Sequence, residues 1–207
     1  RGSRPTAGLH GSIFPPLFPA RPRAVVMARV PYRDPDGLPE DYRDLVVSSL
    51  QPGKTVNVYR AIANNPPVLA GFRSFLGALW TDSGLSDRER ELVILAVARE
   101  MDSAYEFHQH ENVASIVGMP PEDVAAVGTR ELSGFPDREA TLVRYARAVV
   151  DGGVDDALFD VVAAEYDDEA VAGATSLAAG YAALAMVIDA MDVDLEEAFV
   201  GWDLNGA

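Results

Sequence analysis

From Leu38 almost to the end of the chain, apolar residues recur every three or four positions, and no useful stretch alternates apolar with polar. That spacing is helical, with breaks at Gly, Pro and capping residues, so the sequence predicts an all-α helical bundle. A first helix is expected over about Glu40–Leu50, ended by Pro52–Gly53, a second over about Thr55–Ala63, and a third from Pro66 to about Trp80. Ser86–Asp87–Arg88–Glu89 reads as a capping box, in which the serine oxygen and the glutamate carboxylate satisfy free N–H groups of the first turn. The helix it opens runs to about Glu100 and is apolar nearly all round between Leu92 and Ala98, as a central, buried element would be. Ser103–Ala104–Tyr105–Glu106 repeats the box and opens a helix to Val117 that stops at Gly118. Pro120 and Pro121 start a short helix through Val127, and later helices span about Asp137–Asp151, Asp155–Glu165 and Asp168–Met191.

Residues 1–26 break the pattern, with Pro5, Pro15, Pro16, Pro19 and Pro22, four arginines and no acidic residue. They are expected to be a disordered leader or non-native extension ahead of one domain over residues 27–207. Three prolines within Ile13–Pro19 are too many for the apolar core of a signal peptide, which leaves the cytoplasm as the default location. No unbroken apolar stretch implies a transmembrane segment.

The formal net charge is -15, from 32 acidic and 17 basic residues, and Lys54 is the only lysine. Such a surface repels phosphates and anionic lipids, so nucleic acid and membrane partners are not expected. The near-absence of lysine fits a high-GC genome, and both a salt-loving origin and an ordinary acidic protein fit the charge. There are no cysteines, which excludes disulfides, thiolate nucleophiles and Cys-ligated metals from this chain.

The chemistry-bearing stretch is Glu100–Glu111, which holds two of the three histidines. Glu106 and His110 are four apart and share a helix face, where a carboxylate can fix one imidazole nitrogen and leave the other for proton transfer. Glu91 lies one helix earlier, and an antiparallel hairpin would bring it toward His110. Each also has a plain structural reading: Glu106 as the capping-box acid, Glu91 as a first-turn acid on the helix dipole. His108 and His110 are two apart, the wrong spacing for a shared metal on a helix, and neither His108–Glu111 nor Glu106–His110 completes a ligand set, so no metal is expected. The glycines match no phosphate-binding pattern, so no cofactor is expected either.

Leu85–Val127 contains R-E-L-x-I-L-x-V-A (Arg90–Ala98), Y-E-F-x-x-H (Tyr105–His110) and A-x-x-x-G-M (Ala114–Met119), followed by a short acidic helix. In order and spacing these resemble the carboxymuconolactone decarboxylase and alkyl hydroperoxidase D family, which typically has tryptophan at the position of Phe107. Asn57–Trp80 resembles the family's entry helices and the stretch from Thr141 to Glu197 its closing ones, with the family core at about residues 57–130. The redox branch carries a C-x-x-C pair before the histidine. Anchored on His110, those positions fall at Ser103 and Glu106, and the upstream proton-relay glutamate falls at Glu91. Without thiols the peroxidase cycle is impossible, so the resemblance implies the cysteine-free, decarboxylase-like branch.

The expected function is accordingly a lyase-type enzyme on a small carboxylated lactone or related acid. In this reading His110 is the acid/base held by Glu106, Glu91 a second proton carrier, Tyr105 and Ser103 contact substrate, and Arg99, Arg144 and Arg147 are candidate anion anchors. The alternatives are a peroxidase-related homologue with other chemistry and a non-catalytic ligand-binding scaffold. The resemblance also implies a trimer or hexamer, and Phe72, Phe75, Leu79 and Trp80 give one helix large apolar groups for such an interface.

Overall fold

A computed structural model of the chain describes residues 28–48 and 53–196, and the leader expected over residues 1–26 lies outside them. Among the described residues the architecture is an all-α bundle of α1 (Asn57–Ile62), α2 (Pro66–Thr81), α3 (Asp87–Glu100), α4 (Ala104–Ile116), α5 (Pro121–Thr129), α6 (Asp137–Asp151), α7 (Asp156–Glu165) and α8 (Asp168–Met191). Helix α3 is the hub, packed against α4, α5, α6 and α8. Every residue from Arg90 to Ala98 is buried, which is why its sequence is apolar on all sides. Helix α8 reaches the length and apolarity of a membrane span, yet only half of that window is buried and its inner face packs on α2, α3 and α6.

The boundaries from α2 to α8 follow the sequence pattern closely, but the first expected helix does not form as expected. Glu40–Val46 is a 3-10 helix, after which Val47 pairs with Thr55 in an isolated antiparallel bridge. The backbone of this segment is satisfied across the turn instead: the Val56 N–H donates to the Val46 carbonyl at 3.0 Å and Ser48 N–H to the Lys54 carbonyl at 2.7 Å. Two adjacent β-branched valines, Val46 and Val47, favour that extended exit over another α-helical turn.

Close packing of α2 and of the loop after it onto α8 depends on two glycines. A Cβ on Gly173 would lie 1.9 Å from the Ser83 carbonyl oxygen, and one on Gly180 would lie 2.7 Å from Leu79 Cδ1. A larger residue at Gly173 would displace the backbone of the loop after α2, and one at Gly180 would push aside the Leu79 and Phe75 side chains of α2, the helix that carries one wall of the cavity described below. Of the four residues singled out on this helix, Leu79 is buried in the core, Phe72 and Trp80 are half-buried, and Phe75 is 47% exposed.

Candidate active site

A cavity of about 330 Å³ opens between α1, α2, α4 and α8. Its walls are mainly apolar and aromatic (Val58, Tyr59, Leu76, Trp80, Tyr105, Tyr181), and its polar lining includes Arg73, Glu106, Gln109 and His110. Aromatic walls with a few converging polar groups are the usual make-up of a small-molecule site.

The hairpin of α3 and α4 builds the polar end. The three-residue connection Met101–Ser103 returns the chain so that Glu91 meets His110 at the middle of α4. Glu91 lies in the second turn of α3, the first-turn acids being Asp87 and Glu89, so it is not the first-turn dipole partner that its sequence position suggested. Glu91 Oε2 and His110 Nδ1 are 2.8 Å apart, and Glu91 is wholly inaccessible to solvent. Its other oxygen accepts from Arg90 Nε at 3.1 Å. Arg90 is fixed in turn by Asp87 at 2.7 Å, by the Trp80 carbonyl at 3.2 Å and by stacking 4.0 Å over the Trp80 ring. A carboxylate facing Nδ1 requires that nitrogen to carry the hydrogen, so Nε2 is the nitrogen left for the cavity. Trp80 and Tyr181 pack around the imidazole, at 5.9 Å and, edge-on, 5.1 Å between centroids. The ring is therefore held in position as well as in tautomer.

Glu106 does not take the part expected of it. Ser103 caps α4 by accepting from the Glu106 N–H, but the returning half of the box is missing, and neither carboxyl oxygen of Glu106 has a hydrogen-bond partner. Nor does it hold His110, whose Nδ1 belongs to Glu91. The side chain is 3% exposed and lines the cavity. Burial pushes its pKa up to about 8, with Ser103 pulling back only in part. The helix N-terminus favours an anion here, but dehydration of the charge outweighs it.

Other expected site residues are placed differently as well. Tyr105 lines the cavity, but its hydroxyl donates to Glu196 Oε1, and burial beside that carboxylate raises its pKa well above the usual value. It is thus committed within the protein and is not a free donor for an oxyanion. Ser103 is buried beneath the start of α4 as a cap, outside the cavity lining. Among the arginines, Arg99 donates to the Gly128 carbonyl and to Asp102, Arg147 donates to the Val127 carbonyl, and Arg144 is exposed on α6. None of the three reaches the cavity; its arginine is Arg73, which stacks 4.4 Å over Tyr59. His108 pairs with Glu111 at 3.1 Å on the outer face.

Two contributors escaped the sequence reading. Arg73 was legible in principle, as a charged residue in line with the buried Leu69 and Leu76 of α2. Glu196 carried no such signal. It follows α8, yet its carboxylate accepts from the Asn57 N–H at 2.8 Å and from Gln109 at 2.7 Å as well as from Tyr105, so it ties the C-terminal segment to α1 and α4 beside the cavity.

Residues 66–148 match the carboxymuconolactone decarboxylase family. No curated protein matches the chain in sequence. Among solved structures, an alkylhydroperoxidase AhpD-core, peroxidase-related protein of Ralstonia eutropha JMP134 is similar at 20% identity and TM-score 0.74, over 86% of this chain and 96% of that one. A peroxidase-related protein of Silicibacter sp. TM1040 is similar at 18% identity and TM-score 0.72, over 83% and 92%. The debrominase Bmp8, as a cysteine-to-alanine variant in complex with 2,3,4-tribromopyrrole, is similar at 18% identity and TM-score 0.63, over 70% and 79%. The helical architecture and the α3–α4 hairpin agree with these matches: the cysteine-free chain has an alkylhydroperoxidase D-like fold, and its residues 66–148 match the carboxymuconolactone decarboxylase family.

Proposed function

We propose that the chain is a decarboxylase-like enzyme acting on a small carboxylated lactone or related acid, with His110 as the proton carrier. The observation that carries this reading is the Glu91–His110 contact of 2.8 Å at the edge of an aromatic cavity. A buried carboxylate on Nδ1 is the usual way to aim Nε2 and to stabilise the imidazolium when it forms. Loss of CO2 leaves an electron pair on carbon that must be protonated, and Nε2 is the group supplied for that step. Glu91 is then a positioning residue, because His110 stands between it and the cavity.

The substrate class follows from the lining. Its volume of about 330 Å³ suits a single ring with short substituents. The debrominase relative holds a compound of that size, a substituted pyrrole. A carboxylated substrate entering a protein of net charge -15 needs a local cation, and Arg73 supplies one at the wall.

A panel of small carboxylated lactones and β-keto acids, followed by CO2 release, tests the proposal. The wild-type chain is expected to turn over at least one member, and His110→Gln to lose on the order of 100-fold or more in kcat while still binding it. Full activity in His110→Gln, or no turnover across the panel, would reject the reading. Glu91→Gln should lower kcat with little change in KM, as a group acting through the imidazole would.

A further inference from the structure

We propose that Glu106 serves the cavity as a neutral carboxylic acid, donating a hydrogen bond, and in turnover a proton, to an oxygen of a small planar carbonyl or carboxylate ligand. Three observations carry this. The side chain is 3% exposed, neither of its oxygens has a partner at full hydrogen-bond geometry, the Ser103 hydroxyl exerting only a partial pull, and it lines the cavity one helical turn from His110. A buried carboxyl without a well-formed hydrogen bond on either oxygen is costly unless a ligand completes it. In the first turn of α4 it was free to close the capping box, as Glu89 does on α3, and it does not.

The charges around it decide which ligand fits. Arg73 faces the cavity from α2, Tyr59 from α1, His110 and Tyr105 from α4, and Tyr181 from α8, where it senses the Glu106 charge. Arg90 and Glu91, from α3, stand behind His110 and neutralise each other at 3.1 Å. The ring faces that would suit a cationic ligand are already covered, Tyr59 by Arg73 at 4.4 Å and Trp80 by Arg90 at 4.0 Å. A cation would meet the Arg73 guanidinium there, whereas an oxygen acceptor meets an O–H donor and Arg73. The direction of the Glu106 pKa, up to about 8, agrees with a group that keeps its proton at neutral pH.

In turnover the electrons balance without any further reagent. As CO2 leaves, the pair of the breaking C–C bond moves into the conjugated carbonyl, and that oxygen takes the proton of Glu106. The imidazolium of His110 then gives its proton to carbon, where the C=C pair of the enol forms the C–H bond, while the Glu106 carboxylate takes back the hydroxyl proton and the pair of the broken O–H bond closes the C=O. One proton from solvent resets His110. This step rests on the acid–base reading of His110, but the binding role of Glu106 does not.

The test uses binding of benzoate to the full chain by calorimetry from pH 6 to 10. Benzoate does not titrate in that range, so the expected fall, approaching tenfold per pH unit above about 8, reports ionisation within the protein. Glu106→Gln keeps an N–H donor and should bind benzoate without the step near pH 8, while His110→Gln should retain the step. Survival of the step in Glu106→Gln, flat or undetectable wild-type binding, or tighter binding of benzyltrimethylammonium than of benzoate at pH 7 would each overturn the proposal. An inactive enzyme with the step intact in wild type and lost in Glu106→Gln would reject only the decarboxylase reading.

Discussion

The starts of α3 and α4 carry the same four-residue pattern, Ser-x-x-Glu, and use it for opposite ends. At α3 both halves of the box are made: Ser86 accepts from the Glu89 N–H, and Glu89 accepts from Ser86 N–H at 3.0 Å. Glu89 also accepts from Arg138 at 3.0 Å and from Tyr166 at 2.9 Å. Burial pushes the Glu89 carboxyl up, but those donors outweigh it and hold it below the ordinary value. At α4 only the serine half is made, and Glu106 turns into an apolar-walled cavity where burial meets no such opposition. One motif thus gives a helix start with a satisfied anion in one place, and in the other a helix start whose carboxyl pKa is pushed upward by burial. The motif specifies a start; the surroundings specify the charge.

The largest effect that would sharpen this contrast is a stability dependence on pH at Glu106. Its folded pKa, about 8, lies above the ordinary 4.5, so the unfolded chain releases this proton first. Stability should therefore be fullest below about pH 4.5, fall between there and about pH 8 at ~1.4 kcal/mol per pH unit, and level off above. Glu106→Gln removes the charge at every pH. It should melt above the wild-type chain at pH 8–9, on the order of 4 kcal/mol more stable, with the gap closing toward pH 4. Denaturant titrations across that range check it, and a constant gap would break the contrast between the two glutamates.

A smaller effect is expected at the other box. Glu89→Ala at pH 7 should cost about 1 to 2 kcal/mol, because it strips Ser86, Arg138 and Tyr166 of a shared acceptor. Equal losses for Glu89→Ala and Glu106→Ala at pH 7 would mean that both residues are simple caps. The two serines offer a finer comparison: Ser86→Ala should cost roughly 1 kcal/mol, and Ser103→Ala less, since its contact with the Glu106 N–H is long at 3.5 Å. The broadest and weakest expectation concerns the charge of -15, whose self-repulsion should be screened by salt, so that melting temperature climbs between low and molar KCl. Flat values would show that the exposed carboxylates are spaced too widely to matter.

The sequence by itself determined the helical class, the ends of α6 and α8, the burial of α3 and the stop of α4 at Gly118 (φ +84°). These are local matters of periodicity, capping and backbone freedom, which neighbours along the chain decide. The approach of Glu91 to His110 was also within reach, because a short connection between two helices leaves few ways to arrange a hairpin. What only the tertiary structure decided is which partner each polar group finds. Glu91 reaches His110 because α3 lies under α4, Glu106 is denied a partner because α1, α2 and α8 close apolar walls around it, and Tyr105 is taken by Glu196 from 91 residues away. The same holds for the failed first helix, where pairing of Val47 with Thr55 competes with a local propensity. Hydrogen-bond partners and dehydration are set by three-dimensional neighbours, and a titratable group inherits its charge from them.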